Sequence, residues 1–335
     1  MKIDIFNHII PQKYFEKMVN VSPKGKDIQK RVRAIPSMVD LDVRFRIMDL
    51  FEEYVQVICL ANPPIEILGL PPVAGEMAKL ANDSMAELIR KYPDRFPGFI
   101  ASLPMNDPEG LLAEAERAIK DLGAVGVQVY SNVLGRPLDK PETMPLFDLM
   151  AQLDRPVWIH PARGADFPDY KSEPKSHYEI WFIFGWPYET SVAMSHLVFS
   201  GLFDRHPNIK IITHHLGGMI PYFEGRVGPG WDQLGTRTSD EDYTLLLQKL
   251  KKRPLEYFRM FYADTALFGA REATICGLKF FGVERTLFAS DSPFDPEKGP
   301  GYIRSTVEII DSLDLTIEQR QAIYEGNARR LLQLK

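Results

Sequence analysis

Short apolar segments alternate along the chain with longer segments in which apolar residues recur every three or four positions. Apolar runs that end at a polar residue or a proline predict strands, and the longer repeat predicts amphipathic helices. The run Tyr54–Ala61 is almost wholly apolar, as expected of a parallel strand that is buried on both faces. Predicted strands begin near residues 2, 54, 96, 124, 156, 209, 260 and 286.

Eight strands, each followed by a helix, predict an α/β fold in the form of a single (β/α)8 TIM barrel over residues 1–335. Residues 12–40 show no clear period and are predicted to form a loop or excursion. Residues 161–188, after strand five, are predicted to form a long lid-like loop, because loops of that length commonly cover a binding site. The segment Asp240–Leu250 is predicted to be a helix with Ser239 as its N-cap.

Composition and charge narrow the range of partners and compartments. The net charge of −5 argues against a nucleic-acid or anionic-membrane partner and leaves small anionic substrates open. Two cysteines cannot form a disulfide framework, and Cys59 lies in an apolar run, so both are expected to be reduced core residues. Polar residues in the first eight positions are unlike a signal peptide, and no apolar run is long enough to cross a bilayer, which favours a cytoplasmic protein.

Polar residues that could carry chemistry stand where several predicted strands end. A barrel brings the carboxyl ends of all its strands to one face, so these side chains are expected to meet there. Each also has a structural alternative, since a strand-end histidine can cap a turn and an aspartate can form a turn or cap a helix. Four histidines at one rim are harder to explain in that way. The residues are His8, His160, His214, His215, Asp264 and Asp291.

Three of these residues, His8, His160 and Asp291, are candidate metal ligands from different strands. Two imidazoles and a carboxylate suit one divalent transition-metal ion, with Zn²⁺ favoured and Mn²⁺ or Fe²⁺ as alternatives. One coordination position would remain for a water molecule, whose pKa the ion lowers.

Four arginines are candidates for binding a substrate carboxylate through a two-pronged hydrogen bond: Arg44, Arg46, Arg163 and Arg226. The alternative for each is an ion pair at the surface. Arg163 and Arg226 follow strand-end histidines and are the stronger candidates of the four. Trp186, in the long loop, is either a packing residue or a surface for the substrate.

Several short motifs are spread over nearly the whole chain. They are Asp4…His8, Trp-Ile-His-Pro at 158–161, His-Leu-Gly-Gly at 215–218, Tyr-Ala-Asp-Thr-Ala at 262–266, Ser-Asp-Ser-Pro-Phe at 290–294 and Glu-Gly-Asn-Ala-Arg-Arg-Leu-Leu at 325–332. Together they resemble the amidohydrolase superfamily, and most closely its amidohydrolase-2 branch, typified by 2-amino-3-carboxymuconate-6-semialdehyde decarboxylase and related decarboxylases.

The resemblance implies roles for individual residues. It places His8, His160 and Asp291 at metal-ligand positions and His215 at the position of the catalytic histidine beside the metal-bound water. The segment 43–49 is similar to the one that supplies a carboxylate-binding arginine, which implies Arg44 or Arg46. Arg226 matches an arginine that reaches the site of a neighbouring subunit, which implies a homodimer.

One position departs from the family pattern. The first strand of the family usually reads His-x-His, Glu-x-His or Glu-x-Ala, whereas this chain has Phe6 at the first ligand position. A phenyl ring cannot bind a metal ion, so metal affinity is expected to be lower than with a full set of ligands, and loss of the metal stays open. Gln128 and Tyr130 stand at the end of strand four, so a binuclear centre on a carboxylated lysine is not expected.

Three functions follow from these residues. The first is a metal-dependent decarboxylase, a carbon–carbon lyase acting on an unsaturated or aromatic carboxylic acid, in which His215 assists proton transfer. The second is a hydrolase or hydratase, in which His215 and Asp291 activate metal-bound water against a lactone, an ester or a double bond. The third is a metal-free binding protein. The sequence leaves the choice open.

Overall fold

Eight parallel strands form a nearly closed barrel, which confirms the predicted α/β fold. The computed structural model describes residues 1–21 and 26–334. Each strand pairs with the next one in the barrel. The barrel strands are β1 (Lys2–Ile9), β2 (Tyr54–Leu60), β3 (Gly98–Ser102), β4 (Gly126–Tyr130), β5 (Val157–His160), β6 (Ile211–Thr213), β7 (Tyr262–Asp264) and β8 (Thr286–Leu287).

Backbone hydrogen bonds join the first strand to the segment that directly follows the last one. The N–H of Ile5 donates to the carbonyl of Phe288 at 3.0 Å, and the N–H of Asp291 donates to the carbonyl of Phe6 at 3.0 Å. The N–H of His8 donates to the carbonyl of Ser292 at 2.7 Å. These bonds connect the N-terminal strand to a segment in the C-terminal part of the chain. They place Asp291 directly beside the end of β1.

The helices surround the barrel and bury their apolar faces against the strands. Proline or an acidic residue often marks a helix start; for example, the Asp40 carboxylate accepts from the N–H groups of Asp42 and Val43 at 2.9 and 3.1 Å. The helices are Gln12–Val21, Lys26–Arg33, Leu41–Met48, Ile65–Leu68, Pro71–Lys91, Pro108–Lys120, Met144–Gln152, Ile180–Ile183, Gly185–Phe199, Leu202–Arg205, Glu224–Asp232, Thr244–Lys249, Pro254–Phe258, Arg271–Phe281, Pro300–Ser312, Ile317–Gln321 and Asn327–Leu332, with a π-helical turn at Ala322–Gly326.

Two groups of buried apolar side chains stabilise the fold. The larger group joins the helices to the outside of the barrel. The smaller group includes Ile5, Phe6, Val57, Trp158 and Ile212 from four different strands, which fill the barrel interior. Burying such side chains is worth about 1.5–3 kcal/mol each, so the interior holds the strand ends, and the polar residues on them, in fixed positions.

Three expectations from the sequence need correction. Residues 12–40 are not a loop: the described part of this segment forms the helices Gln12–Val21 and Lys26–Arg33 and a short 3₁₀ turn. The helix predicted at 240–250 begins only at Thr244, and its N-cap position is Tyr243 rather than Ser239. The loop predicted at 161–188 already contains the helix Ile180–Ile183 and the start of Gly185–Phe199. No helix within 1–21 and 26–334 has both the length and the apolarity that a membrane span needs.

Candidate metal centre and its surroundings

Six polar residues at or just beyond the carboxyl ends of the strands lie together at one end of the barrel, as the sequence predicted. All of them are buried. They come from both ends of the chain and from its middle, and the barrel is what brings them to one place. They are His8 on β1, His160 on β5, His214 and His215 after β6, Asp264 on β7 and Asp291 after β8.

Ring nitrogens and a carboxylate form two overlapping groups with the spacing of metal ligands. One nitrogen from each of His8, His160 and His214 lies within 4.8 Å of the other two. A second group, with the same spacing, contains His214, His215 and an oxygen of Asp291. His214, which was not among the predicted ligands, is therefore the residue that the two groups share.

The surroundings of three imidazoles turn the same ring nitrogen, Nε2, toward this cluster. His160 Nδ1 donates to the carbonyl of Pro161 at 2.6 Å, and His214 Nδ1 donates to the carboxylate of Asp264. His8 Nδ1 lies 3.4 Å from the thiol sulfur of Cys59. A hydrogen bond from Nδ1 keeps a proton on that nitrogen, so that Nε2 is the atom that can bind a metal ion once it carries no proton.

Asp291 lies between the histidines. One of its oxygens is 2.8 Å from His8 Nε2 and 3.5 Å from His214 Nε2, and the other is 3.6 Å from His215 Nε2. Burial favours the neutral acid, but the polar contacts with these histidines and the positive charge of His214 outweigh it and hold the pKa of Asp291 well below its usual range. Asp291 is therefore a carboxylate at neutral pH, as a metal ligand must be.

The histidines divide into two classes by their pKa. Burial lowers the pKa of His8, His160 and His215, and the charge of His214 lowers it further, so these three imidazoles are neutral. Burial also disfavours the charged form of His214, but the carboxylates of Asp264 and Asp291 raise its pKa to about 9. Neutral imidazoles and a carboxylate are donors that a divalent ion accepts without a change of charge.

An unusual backbone turn presents the two adjacent histidines. His215 and Leu216 have φ angles of 51° and 48°, and Gly217 and Gly218 follow with 82° and 60°. Left-handed conformations are costly for residues with a Cβ atom, and such strain is concentrated at functional sites. The carboxylate of Asp264 helps to hold the turn, because it accepts from the N–H of His215 at 3.0 Å. Asp264 therefore orients histidines, and the helix-capping alternative from the sequence was wrong.

The structure gives Arg44 a different role from the substrate-binding one expected from the sequence. Its guanidinium donates to Asn7 Oδ1 at 2.6 Å, to Gln56 Oε1 at 2.7 Å, and to the carbonyls of His8 and Ser37 at 2.8 and 3.3 Å. The residue is only 3% exposed, and burial lowers its pKa to about 10. With its donors used by the protein, Arg44 supports the end of β1 rather than binding a ligand.

Arg163 and Trp186 lie next to the cluster. Arg163 pairs with Glu189 at 2.9 Å, and its guanidinium lies 5.0 Å from the ring centre of Phe167. Trp186 donates from its indole N–H to the carbonyl of Arg163 at 3.2 Å, and its ring centre is 5.3 Å from that of His160. These contacts join the segment after β5 to one of the candidate ligands.

The remaining predicted arginines are away from the histidines. Arg46 and Arg226 are both exposed at the surface of this subunit. A cation that sequence reasoning missed is closer: the guanidinium of Arg31 lies 4.2 Å from the ring centre of Phe294, and this ring is 5.2 Å from that of His8. It was missed because the segment around Arg31 was interpreted as a loop and not as a helix.

The donor set fits a divalent metal ion. Its nitrogens and oxygen come from rigid strand ends, and two of them have no hydrogen-bond partner among the described residues: His214 Nε2 and His215 Nδ1. Buried polar atoms are seldom left without a partner unless the site serves a ligand. The ring of Phe6, in contrast, adds no donor to the cluster.

Two decarboxylases are similar in sequence to this chain over most of its length. Gamma-resorcylate decarboxylase from Polaromonas sp. strain JS666 is 31% identical to this chain over 302 residues, which cover 88% of the chain and 87% of that enzyme. The 2-amino-3-carboxymuconate-6-semialdehyde decarboxylase of Dictyostelium discoideum is 29% identical over an alignment of 350 positions, covering 100% of this chain and 92% of that enzyme.

The same likeness holds in three dimensions. The structure of dihydroxybenzoic acid decarboxylase from Polaromonas sp. JS666, with bound manganese and the inhibitor 2-nitroresorcinol, superposes with a TM-score of 0.78. It is 26% identical and covers 99% of this chain and 96% of that one. The family model described as Amidohydrolase matches residues 71–334. The resemblance in the motifs is thus confirmed, and the chain belongs to the amidohydrolase family.

Proposed function

We propose that this protein is a metal-dependent decarboxylase that removes CO₂ from an unsaturated or aromatic carboxylic acid, and that residues 1–335 form one domain for this purpose. The observation that carries the proposal is the pair of overlapping ligand groups, which link His8 and His160 to Asp291 and His215 through the shared His214, in a chain whose relatives are decarboxylases. The cluster supplies ligands, and His215 is a buried, neutral base next to them.

His8, His160 and Asp291 would hold a divalent ion. Such an ion, when bound, supplies a positive charge that polarises substrate oxygens and lowers the pKa of bound water. Donors rich in imidazole favour Zn²⁺, and the manganese in the Polaromonas enzyme supports Mn²⁺ as the main alternative, with Fe²⁺ next.

His215 is the proposed catalytic residue for proton transfer, together with Asp291. In a decarboxylation the bond between carbon and the carboxylate breaks, its electron pair stays on the carbon, and one proton replaces the CO₂ that leaves. His215 Nε2 lies 3.6 Å from an oxygen of Asp291, so the imidazole that would deliver the proton stands beside the proposed metal ligands. The burial of both residues keeps bulk water from competing for this proton.

The segment 161–188 is the proposed lid, and Arg163 and Trp186 are the proposed substrate-binding residues in and beside it. Trp186 lies against His160, which gives an aromatic substrate a ring to pack on. Arg163, whose guanidinium lies over the ring of Phe167 and pairs with Glu189, supplies a cation in the same segment. Arg46 and Arg226 point to solvent in the single subunit, so a role for either one in binding requires a second subunit.

We also propose a homodimer in which Arg226 reaches the neighbouring site. The support is that large aromatic side chains are exposed both in the proposed lid and close to Arg226 in the sequence. Tyr178 is 92% exposed and Phe184 is 70% exposed, and Tyr222, close to Arg226 in sequence, is 82% exposed. Contiguous exposed apolar surface commonly marks an interface. Light scattering of the purified protein tests this part of the proposal.

The deciding experiment measures CO₂ release from a panel of carboxylic acids by the purified protein, after chelation and after adding back Zn²⁺, Mn²⁺ or Fe²⁺. The panel includes 2,6-dihydroxybenzoate, 5-carboxyvanillate and 2-amino-3-carboxymuconate-6-semialdehyde. We expect CO₂ release from at least one compound, only with metal. Release of CO₂ from none of them, with turnover of lactones or esters instead, would favour the hydrolase or hydratase. A protein that retains no metal and turns over nothing would favour a binding protein.

A further inference from the structure

The ring of Phe6 lies in the middle of three imidazoles. Its centre is 4.1 Å from that of His214, 4.9 Å from that of His8 and 5.7 Å from that of His160. Phe6 is completely buried and lies two residues before His8 on β1. A side chain at position 6 therefore faces the cluster directly, and in this chain it brings only carbon atoms.

Of the three imidazoles, the ring of His214 is nearest to the phenyl ring, and it has the donor atom that Phe6 lacks. Its Nε2 atom has no hydrogen bond to any residue in the described ranges, although the side chain is only 2% exposed. His214 is also the residue common to both ligand groups. Its other nitrogen is held by Asp264 on β7, so the ring cannot turn away without breaking that bond.

We propose that His214 is a metal ligand and that it replaces the donor missing at position 6. This inference rests on the metal site proposed above. His214 would bind through Nε2, whose proton is released when the ion binds, while Asp264 keeps the proton on Nδ1 and orients the ring. With His8, His160 and Asp291 the site has three nitrogens and one oxygen from the protein.

This assignment separates the roles of two neighbouring histidines. His214 belongs to the group that contains His8 and His160, whereas His215 shares its group with His214 and Asp291. His215 is thus left outside the nitrogen cluster and stays available for proton transfer. In an extended strand, two consecutive side chains point to opposite faces. The strained turn at His215 and Leu216 instead allows the two imidazoles to lie side by side.

The test is metal affinity, measured by competition with a chelator and by elemental analysis of the purified protein. His214→Asn keeps an amide that can donate to Asp264 near the place of Nδ1, but it has no donor at the place of Nε2. We expect this variant to lose more affinity than the tenfold to hundredfold that follows removal of an outer hydrogen-bond partner. Adding Phe6→His to this variant should restore most of the lost metal affinity.

Three controls make the result specific. Phe6→Leu in the His214→Asn protein changes the same ring without adding a donor, so it should restore nothing. His206→Asn removes a histidine that pairs with Asp148 at 2.7 Å on the outside of the barrel, so metal affinity should not change. Circular dichroism and thermal unfolding report whether each variant is folded. Asp264→Asn frees the His214 ring but keeps every ligand, so it should lower metal affinity tenfold to hundredfold. If His214→Asn does not fold, this variant provides the test of the inference.

Each outcome has one meaning. A wild-type protein that binds no divalent ion contradicts the metal site itself. A wild-type protein that binds metal, together with a His214→Asn variant of unchanged affinity, overturns the inference about His214 and leaves the metal site standing. Loss of affinity that Phe6→His recovers and Phe6→Leu does not is the result that supports it.

Discussion

Asp264 accepts a hydrogen bond from His214 Nδ1 across two neighbouring strands. Its second oxygen accepts from the N–H of His215 at 3.0 Å and from the N–H of Ala266 at 3.1 Å. One buried carboxylate therefore determines both the direction of one imidazole and the backbone position of the next. Residues that hydrogen-bond to a metal ligand or a catalytic residue orient it, and mutating them typically lowers metal affinity or activity tenfold to hundredfold.

We predict that His215→Asn retains the metal but lowers kcat by about 10²–10⁴-fold, the usual contribution of a general acid or base. His215 lies in the ligand group of Asp291 but outside the one formed by His8 and His160. Metal content and CO₂ release, measured on the same preparation, check the prediction. An unchanged rate would remove His215 from the mechanism.

We predict that His160→Ala removes both bound metal and turnover. His160 is fixed by its hydrogen bond to Pro161, so no neighbouring side chain can take its place without moving the end of β5. His196→Ala is the matched control, because His196 pairs with Asp139 at 2.9 Å away from the cluster and its loss should leave both quantities unchanged. Full metal content in His160→Ala would contradict the ligand assignment.

The strands were predictable because each one is a short apolar run that ends at a polar residue. The choice between His214 and His215 was not. It depends on the φ angles of the turn and on Asp264, which lies some fifty positions further along the chain. A sequence shows that two histidines end a strand, but which ring nitrogen points inward follows from contacts that only the closed barrel creates.

The role of Arg44 also depends on contacts that only the folded chain creates. Its spacing in the sequence is compatible with a helix face toward either the substrate or the core, and the long side chain can reach both. In the fold, oxygens from β1, β2 and Ser37 surround the guanidinium, so that it links the first strands to each other. Arg46, two positions later, is exposed.

These positions predict effects of different size for two arginines that are two residues apart. Arg44→Met should lower the free energy of unfolding by about 3 kcal/mol, because it leaves several buried oxygens without a donor. Arg46→Met, at an exposed position, should change it by no more than about 0.5 kcal/mol. Urea unfolding of both variants provides the measurement. If Arg44→Met instead raised KM and kept wild-type stability, Arg44 would be a substrate ligand after all.

Metal binding should also stabilise the fold, since the ligands come from strands that separate on unfolding. A ligand present at about a thousand times its Kd adds about 4 kcal/mol to the free energy of unfolding. We therefore expect chelation to lower Tm and readdition of the preferred ion to restore it. The His160→Ala variant is the control, because its Tm should not respond to metal. A Tm of the wild-type protein that is independent of metal would argue against a site at the barrel end.

Glu66 gives a prediction for pH that does not involve the metal ligands. Its side chain is buried next to a small cavity lined by Leu60, Gln128 and Tyr130, and its Oε1 has no hydrogen-bond partner among the described residues. Burial, opposed only by a hydrogen bond to its own backbone, raises the pKa of Glu66 from 4.5 to about 7. The folded protein thus prefers the neutral acid.

The direction of the effect follows from linkage. A carboxyl whose pKa is raised by folding contributes its full stability below the unfolded pKa of 4.5 and loses it as the pH rises through about 7, a difference of about 3 kcal/mol. In Glu66→Gln the side chain is neutral at every pH, so this variant should not lose that stability. Its free energy of unfolding should therefore rise relative to that of the wild type between pH 5 and pH 8. Burial also raises the pKa of Asp4, to about 6. Its contribution to the pH dependence of stability is the same in both proteins and cancels when they are compared. Glu76→Gln, at an exposed glutamate, should show no such divergence. Parallel curves for wild type and Glu66→Gln would mean that Glu66 ionises as readily in the folded state as in the unfolded one.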